Sequence, residues 1–157
     1  MEDYKLNILT TLYTQQQSTA HILRERMAKI ATGAISIFIV IDGWLIANAN
    51  NLSDSQLLML IISIAVIMVV SVYGVYARYK EFSAVASMIV RIETAMKIYE
   101  IGVFIKNESL YPLKHRSLGK EDYAHSKSIF YSQAAIIIIF GFSSIALGVL
   151  VLISSCH

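Results

Sequence analysis

The segment Leu57–Ala77 constrains the fold of this chain more than any other part of the sequence. It reads LLMLIISIAVIMVVSVYGVYA, so a helix formed from it is apolar on every face. A surface helix of a soluble protein keeps a polar face, whereas about 20 consecutive apolar residues cross a ~30 Å hydrocarbon layer. A hydrophobic content of 56% is also high for a chain of 157 residues. The segment therefore predicts a membrane span.

Two further segments have the same character, Ile30–Ala47 and Ile129–Ser154. The polar run Asn48–Ser53 predicts a tight turn between the first two spans, and Ser53 with Gln56 resembles a capping box that opens the second one. The sequence thus predicts a two-helix transmembrane hairpin over residues 30–77. A third transmembrane helix with a short outer tail follows over residues 128–157.

The distribution of basic residues predicts how these spans are oriented. All 13 lysines and arginines lie before Ile30 or between Arg78 and Lys127. Because cytoplasmic loops carry the excess of basic residues, we expect a cytoplasmic N-terminus, three crossings of a cell inner membrane and an outer C-terminus. An aromatic belt at the inner boundary accounts for three tyrosines spaced by three residues: Tyr73, Tyr76 and Tyr79.

Residues 78–127 are predicted to form a cytoplasmic helical extension followed by a loop. Neither glycine nor proline occurs between Gly74 and Gly102, so the second span is expected to continue as one helix that ends soon after Gly102. Arg91 and Glu93 are interpreted as solvated charges or, equally, as residues that dock a cytoplasmic partner. Asn107 is interpreted as part of a turn. Apolar residues recur along the extension in steps of three and four: Phe82, Val85, Ile89, Ile92, Met96, Tyr99 and Val103. This apolar stripe is typical of a coiled coil and requires a partner for assembly or docking.

The N-terminal segment, residues 1–29, offers such a partner. Its apolar residues, which include Leu9, Tyr13, Leu23 and Met27, also recur at helical intervals. An amphipathic helix lying on the lipid surface is one interpretation, although few basic residues support it. We favour a cytoplasmic amphipathic helix that packs on the apolar stripe, because both apolar faces are then covered.

Candidate site residues lie within the spans. Asp42 is the acidic residue embedded in an apolar run, and an intramembrane carboxylate is by default a functional hypothesis. In an oligomer it would attract cations to a pore; alternatively it reaches headgroups or water, or forms a hydrogen bond within the bundle. Gln133 is a second intramembrane polar residue that can bond across helices. A small-residue face on the third span comprises Gly141, Ser144 and Gly148, and it suits helix packing either within one chain or between chains.

The sequence gives no support for catalysis. The four histidines are scattered, and neither a zinc-binding pattern nor a glycine-rich phosphate loop is present. A net charge of +2 gives no reason to expect a nucleic-acid partner, and a single cysteine, Cys156, excludes an internal disulfide. We therefore expect a protein that is not an enzyme and that needs no cofactor.

The layout resembles a known group of small bacterial membrane proteins. A short N-terminal helix, a two-span hairpin, a long helix carrying Arg91-Ile92-Glu93 and a loop at Leu110-Tyr111-Pro112 are similar to the SLATT effectors found beside phage-defence genes. The resemblance covers roughly residues 20–115, and the third span is additional to that layout. It implies a membrane-disrupting or pore-forming effector that a cytosolic partner activates or restrains.

These observations predict an all-α integral membrane protein with three transmembrane helices and a cytoplasmic helical layer. The first functional hypothesis is a homo-oligomeric effector or channel-like protein that perturbs membrane integrity when activated. The alternative is a non-conducting anchor or accessory subunit that docks a cytosolic protein partner on residues 78–127.

Overall fold

The computed structural model describes residues 2–110 and 123–155, most of which form three long helices. Helix α1 spans Glu2–Asn48, a 3₁₀ turn spans Ala49–Asn51, α2 spans Asp54–Ala95 and α3 spans Tyr123–Ser155. No β-strand occurs in those two ranges, so the predicted all-α class is confirmed. Pro112 of the expected loop, the histidines at 115 and 157, and Cys156 lie outside the described residues.

All three helices are long and apolar enough to cross a membrane. Their most apolar windows have mean hydropathies of 2.0, 2.7 and 2.9, and only 22%, 11% and 22% of each window is buried. Val70 and Leu150, for example, expose more than half of their side chains. In water, such surfaces would exceed the few hundred Å² of contiguous apolar patch that soluble monomers tolerate. The three helices therefore indicate a multi-pass membrane protein.

The turn between α1 and α2 has one of the two hydrogen bonds of the predicted capping box. The backbone N–H of Ser53 donates a hydrogen bond to Gln56 Oε1 at 3.0 Å, and the Leu57 N–H donates to the Ser53 carbonyl oxygen at 3.0 Å. The glutamine side chain thus satisfies a backbone donor that precedes the helix. This fixes where α2 begins.

The chain packs into two compact units. The span unit comprises Met27–Ala77 and Phe130–His157, and the charged unit comprises Met1–Arg26 and Arg78–Ile129. Between residues 30 and 77 and from 130 to 157, the only charged side chains are those of Asp42 and Asp54. The largest apolar side chains of the span unit that are fully buried form its small core: Met27, Phe38, Leu45, Leu57, Ile64, Val75 and Ile137.

In the charged unit, the N-terminal part of α1 contacts the C-terminal part of α2. The Arg24 guanidinium carbon lies 4.9 Å from the centre of the Phe82 ring, and Tyr13 donates a hydrogen bond to Glu93 at 3.3 Å. Leu23 and Ile89 are both buried. The contact that the sequence predicts between residues 1–29 and the apolar stripe is therefore present.

The expectation that this helix continues past Gly102 is wrong, because α2 ends at Ala95. Lys97 adopts a left-handed backbone conformation with φ 60. The Lys97 N–H donates to the Thr94 carbonyl oxygen at 3.1 Å, and the Ile98 N–H to that of Glu93 at 3.4 Å. These are the two hydrogen bonds of a Schellman motif, which terminates a helix. Its left-handed position usually carries glycine, so a lysine there left no signal in the sequence.

A tight turn follows the helix. The Glu108 N–H donates to the Ile105 carbonyl oxygen at 3.2 Å, and Asn107 has φ 66. Asparagine tolerates this left-handed conformation better than most residues. The turn predicted at Asn107 is thus confirmed.

Candidate functional site

The carboxylate of Asp42 on α1 meets the hydroxyl of Ser144 on α3. Ser144 Oγ donates to Asp42 Oδ2 at 2.9 Å and lies 3.1 Å from the carbonyl oxygen of Phe140 on its own helix. Ser144 is completely buried. This hydrogen bond therefore connects α1 with α3, two of the candidate spans, through a charged acceptor. The residues that flank Asp42 and Ser144 in the sequence are mainly apolar.

The second carboxylate oxygen has different surroundings. Asp42 Oδ1 is buried and has no hydrogen-bond partner among the described residues. Burying a polar atom without a partner costs roughly 1–3 kcal/mol in proteins, and more for an ionised group. Chemically, Asp42 offers one satisfied oxygen and one free acceptor, which is a suitable arrangement for binding a proton or a cation.

The small residues of α3 pack within the chain. A Cβ atom at Gly141 would lie 2.7 Å from Met68 Sδ, and one at Gly148 would lie 2.9 Å from Ile61 Cγ1. Both glycines therefore allow α3 to approach α2 closely, as small residues do in membrane helices. The sequence left open whether these small residues pack within one chain or between chains. The structure shows packing within the chain for Gly141, Ser144 and Gly148.

Gln133 lies elsewhere on α3 and does not join this pair. Its Oε1 atom is buried and has no hydrogen-bond partner within the described ranges. The sequence suggested a cross-helix hydrogen bond for Gln133, and the oxygen of its side chain makes none with residues 2–110 and 123–155. Gln133 carries an unsatisfied acceptor but no assembled site.

The residues of the apolar stripe differ in burial. Phe82, Ile89 and Tyr99 are buried, and Val103 is 46% exposed. The others are half-buried: Val85, Ile92 and Met96. Since the helix ends at Ala95, Tyr99 reaches its buried position from the turn that follows.

Glu93 corrects another expectation, because it is not a solvated charge. Its Oε2 accepts a hydrogen bond from the Tyr99 hydroxyl at 2.5 Å, and its Oε1 accepts one from Tyr13, whose own oxygen accepts from Gln17 Nε2 at 3.1 Å. This cluster connects α1, α2 and the turn after α2. Sequence spacing did not reveal it, because Tyr13 and Glu93 are distant in the chain and Tyr99 follows the irregular helix end.

No group of three or more histidine, cysteine, aspartate or glutamate side chains that could hold a metal ion occurs among the residues described. Comparison with protein families, with curated proteins and with solved structures finds no match to this chain. The likeness to the SLATT effectors accordingly remains a resemblance in sequence layout.

Proposed function

We propose that this chain is a homo-oligomeric, channel-like effector of a bacterial inner membrane, which perturbs the membrane by letting cations pass at Asp42. The observation that carries the proposal is the half-buried Asp42, of which one carboxylate oxygen accepts a hydrogen bond from Ser144 and the other is buried without a described partner. An ionised side chain at membrane depth is expensive and is kept where it faces an ion pathway or a partner. Carboxylates in such positions select for cations.

An exposed face of α1 that is rich in small residues supports self-assembly. Thr32, Ser36, Gly43 and Ala47 are all exposed, Val40 is the larger exposed residue among them, and a Cβ atom at Gly43 would meet nothing within 4 Å. Positions 36, 43 and 47 each lie two residues, or ~200° of helix rotation, from the buried Phe38 or Leu45. The small face therefore points away from the core of the span unit. A helix of a second copy can approach it closely, whereas the small face of α3 is already covered.

We propose a cytoplasmic N-terminus and an outer C-terminus, because the basic residues outside the spans favour the cytoplasmic side. We further propose that the effector acts without catalysis and without a cofactor. Its role in defence against phage is the role that the resemblance to SLATT effectors implies.

Ion flux from liposomes tests the proposal. Vesicles containing the wild-type protein should release K⁺, and Asp42→Asn should lower the rate by about tenfold, since ~1.4 kcal/mol of lost cation stabilisation suffices for that factor. Asparagine keeps the size of the side chain and an oxygen that accepts from Ser144. Asp54→Asn is the matched control, because Asp54 is the other acidic residue of the span unit and lies exposed at the start of α2. Equal fluxes from both variants, or no flux from the wild type, would overturn the proposal.

One observation favours the anchor as a second candidate. The segment after α2 exposes several large apolar side chains: Ile101, Val103, Phe104, Ile105 and Leu110. A cytosolic protein can dock there, whereas the buried Ile89 is not available to it. The anchor predicts that lipid particles of the wild type contain one copy of this chain in a stoichiometric complex with a second polypeptide. Phe104→Asp should abolish that complex. A mass of several identical copies without a second polypeptide would exclude it.

A further inference from the structure

An apolar groove runs between α2 and α3 on the outside of the span unit. It has a volume of about 490 Å³ and opens to the surroundings. Its walls include Met68, Val72 and Tyr76 on α2 and Phe130, Ile138 and Phe142 on α3. The volume is within the range of ~300–1,000 Å³ that is usual for ligand sites.

Contacts between the two helices limit the groove at both ends. Close packing of Gly141 on Met68 brings the helices together at one end. At the other end the rings of Tyr76 and Phe130 pack with their centres 5.9 Å apart. Between these contacts, the helices leave a space that their own side chains do not fill.

The length of the groove corresponds to one leaflet of a bilayer. From Met68 to Tyr76 the α2 wall extends about 12 Å, and from Phe130 to Phe142 the α3 wall extends about 18 Å, at 1.5 Å per residue. Half of a ~30 Å hydrocarbon layer is ~15 Å. The groove therefore covers the depth of a single acyl chain that begins at the end marked by the tyrosines.

The chemistry of the walls changes along this length. Apart from the tyrosine hydroxyls at one end, the wall side chains are aliphatic or aromatic hydrocarbons and one methionine thioether. Tyr73 is a further wall residue and is 69% exposed. Tyrosines of this kind lie at the level of the lipid headgroups, where the hydroxyl contacts water and the ring contacts apolar groups. A lipid seated here has its polar group beside the tyrosines and its chain beside Val72 and Ile138.

We infer that this groove is a binding site for one acyl chain of a membrane phospholipid from the leaflet at the tyrosine end. The affinity comes from dispersion contacts with a preformed, close-fitting surface, because transfer from bilayer to groove brings no gain from leaving water. This site is independent of ion conduction, and it requires only that α2 and α3 cross a bilayer.

A photoreactive phospholipid tests the inference. The full chain is reconstituted in phosphatidylcholine vesicles that contain phosphatidylcholine with a diazirine in the middle of one acyl chain, and cross-linked residues are mapped by mass spectrometry. We expect labelling to concentrate on groove residues, chiefly Val72 and Ile138. Val72→Trp fills the groove and should reduce that labelling by about threefold, a factor that a few lost dispersion contacts account for.

Val70→Trp is the matched control. Val70 lies on the same helix, is 63% exposed and does not line the groove. It should leave labelling in the groove unchanged. Uniform labelling of all exposed apolar residues, insensitive to Val72→Trp, would show only non-specific boundary lipid and overturn the inference. Protection of the groove together with cross-links between copies of the chain would also overturn it, because a second copy would then be the occupant.

Discussion

The hydroxyl of Ser144 donates a hydrogen bond to Asp42 Oδ2 at 2.9 Å, although the two residues are 102 positions apart in the chain. This bond brings the one acidic side chain inside the predicted spans into contact with the small-residue face of α3. It gives Ser144 a polar role in addition to its small size. The sequence indicated the two residues separately and for different reasons.

Removing that hydroxyl should destabilise the span unit. In Ser144→Ala the Oδ2 atom of Asp42 loses its described partner, so that neither carboxylate oxygen then has one among the described residues. We expect a loss of about 1–2 kcal/mol in the free energy of unfolding, in the range for interhelical and charged hydrogen bonds. The measurement is reversible unfolding in mixed detergent micelles. Ser143→Ala, at an exposed neighbouring position, should change little. Equal effects of the two substitutions would refute a role for the hydrogen bond.

Two glycines of α3 should tolerate alanine unequally. The methyl group of Gly148→Ala would lie 2.9 Å from Cγ1 of the β-branched Ile61. That of Gly141→Ala would lie 2.7 Å from Sδ and 2.9 Å from Cγ of Met68, which can rotate away, and 3.2 Å from Met68 Cβ. Since isoleucine has few accessible rotamers, Gly148→Ala should cost more, about 1–3 kcal/mol. Gly33→Ala, where nothing lies within 4 Å, should be neutral or stabilising. Thermal unfolding in detergent gives the ranking, and the opposite order would contradict the packing described.

The end of α2 can be tested at Lys97, because the two possible backbone conformations predict opposite changes in stability for glycine relative to alanine. Because Lys97 has φ 60, Lys97→Gly should stabilise the charged unit by about 1 kcal/mol relative to Lys97→Ala. Both substitutions remove the exposed contact with Glu100, so their difference isolates the backbone. If α2 instead continued through this position, glycine would be the worse residue by about the same amount. Thermal unfolding of the two variants decides between these outcomes.

Much of the architecture follows from the order of residues alone. Leu57–Ala77 has no polar face, and Ser53 with Gln56 has capping spacing, so three apolar helices and the start of α2 were predictable. The end of α2 was not, because the left-handed residue is a lysine and the stripe continues in register through Tyr99. The partners of Asp42 and Glu93 were also hidden, because they come from distant positions that only tertiary packing brings together.

The small face of α1 should control assembly. Gly43→Ile places a branched side chain where the face is open, and we expect it to reduce the number of subunits per particle, because two helix backbones can no longer approach closely. Native mass spectrometry from lipid particles counts the subunits. Val66→Ile, a substitution at an exposed position of α2, is the control and should leave the count unchanged. An unaltered count in Gly43→Ile would exclude this face as the interface.

The most direct test of the account is the side of the membrane on which Cys156 lies, since three crossings put the two chain ends on opposite faces. The cysteine is the only one in the chain, so a membrane-impermeant maleimide reports its position in the wild-type protein after mild reduction. The account predicts that Cys156 is labelled in intact spheroplasts, whereas a cysteine introduced by Ser18→Cys in a Cys156→Ser background is labelled only after permeabilisation. Labelling of both positions only after permeabilisation would contradict three crossings, and with them the proposed orientation of the Asp42 site.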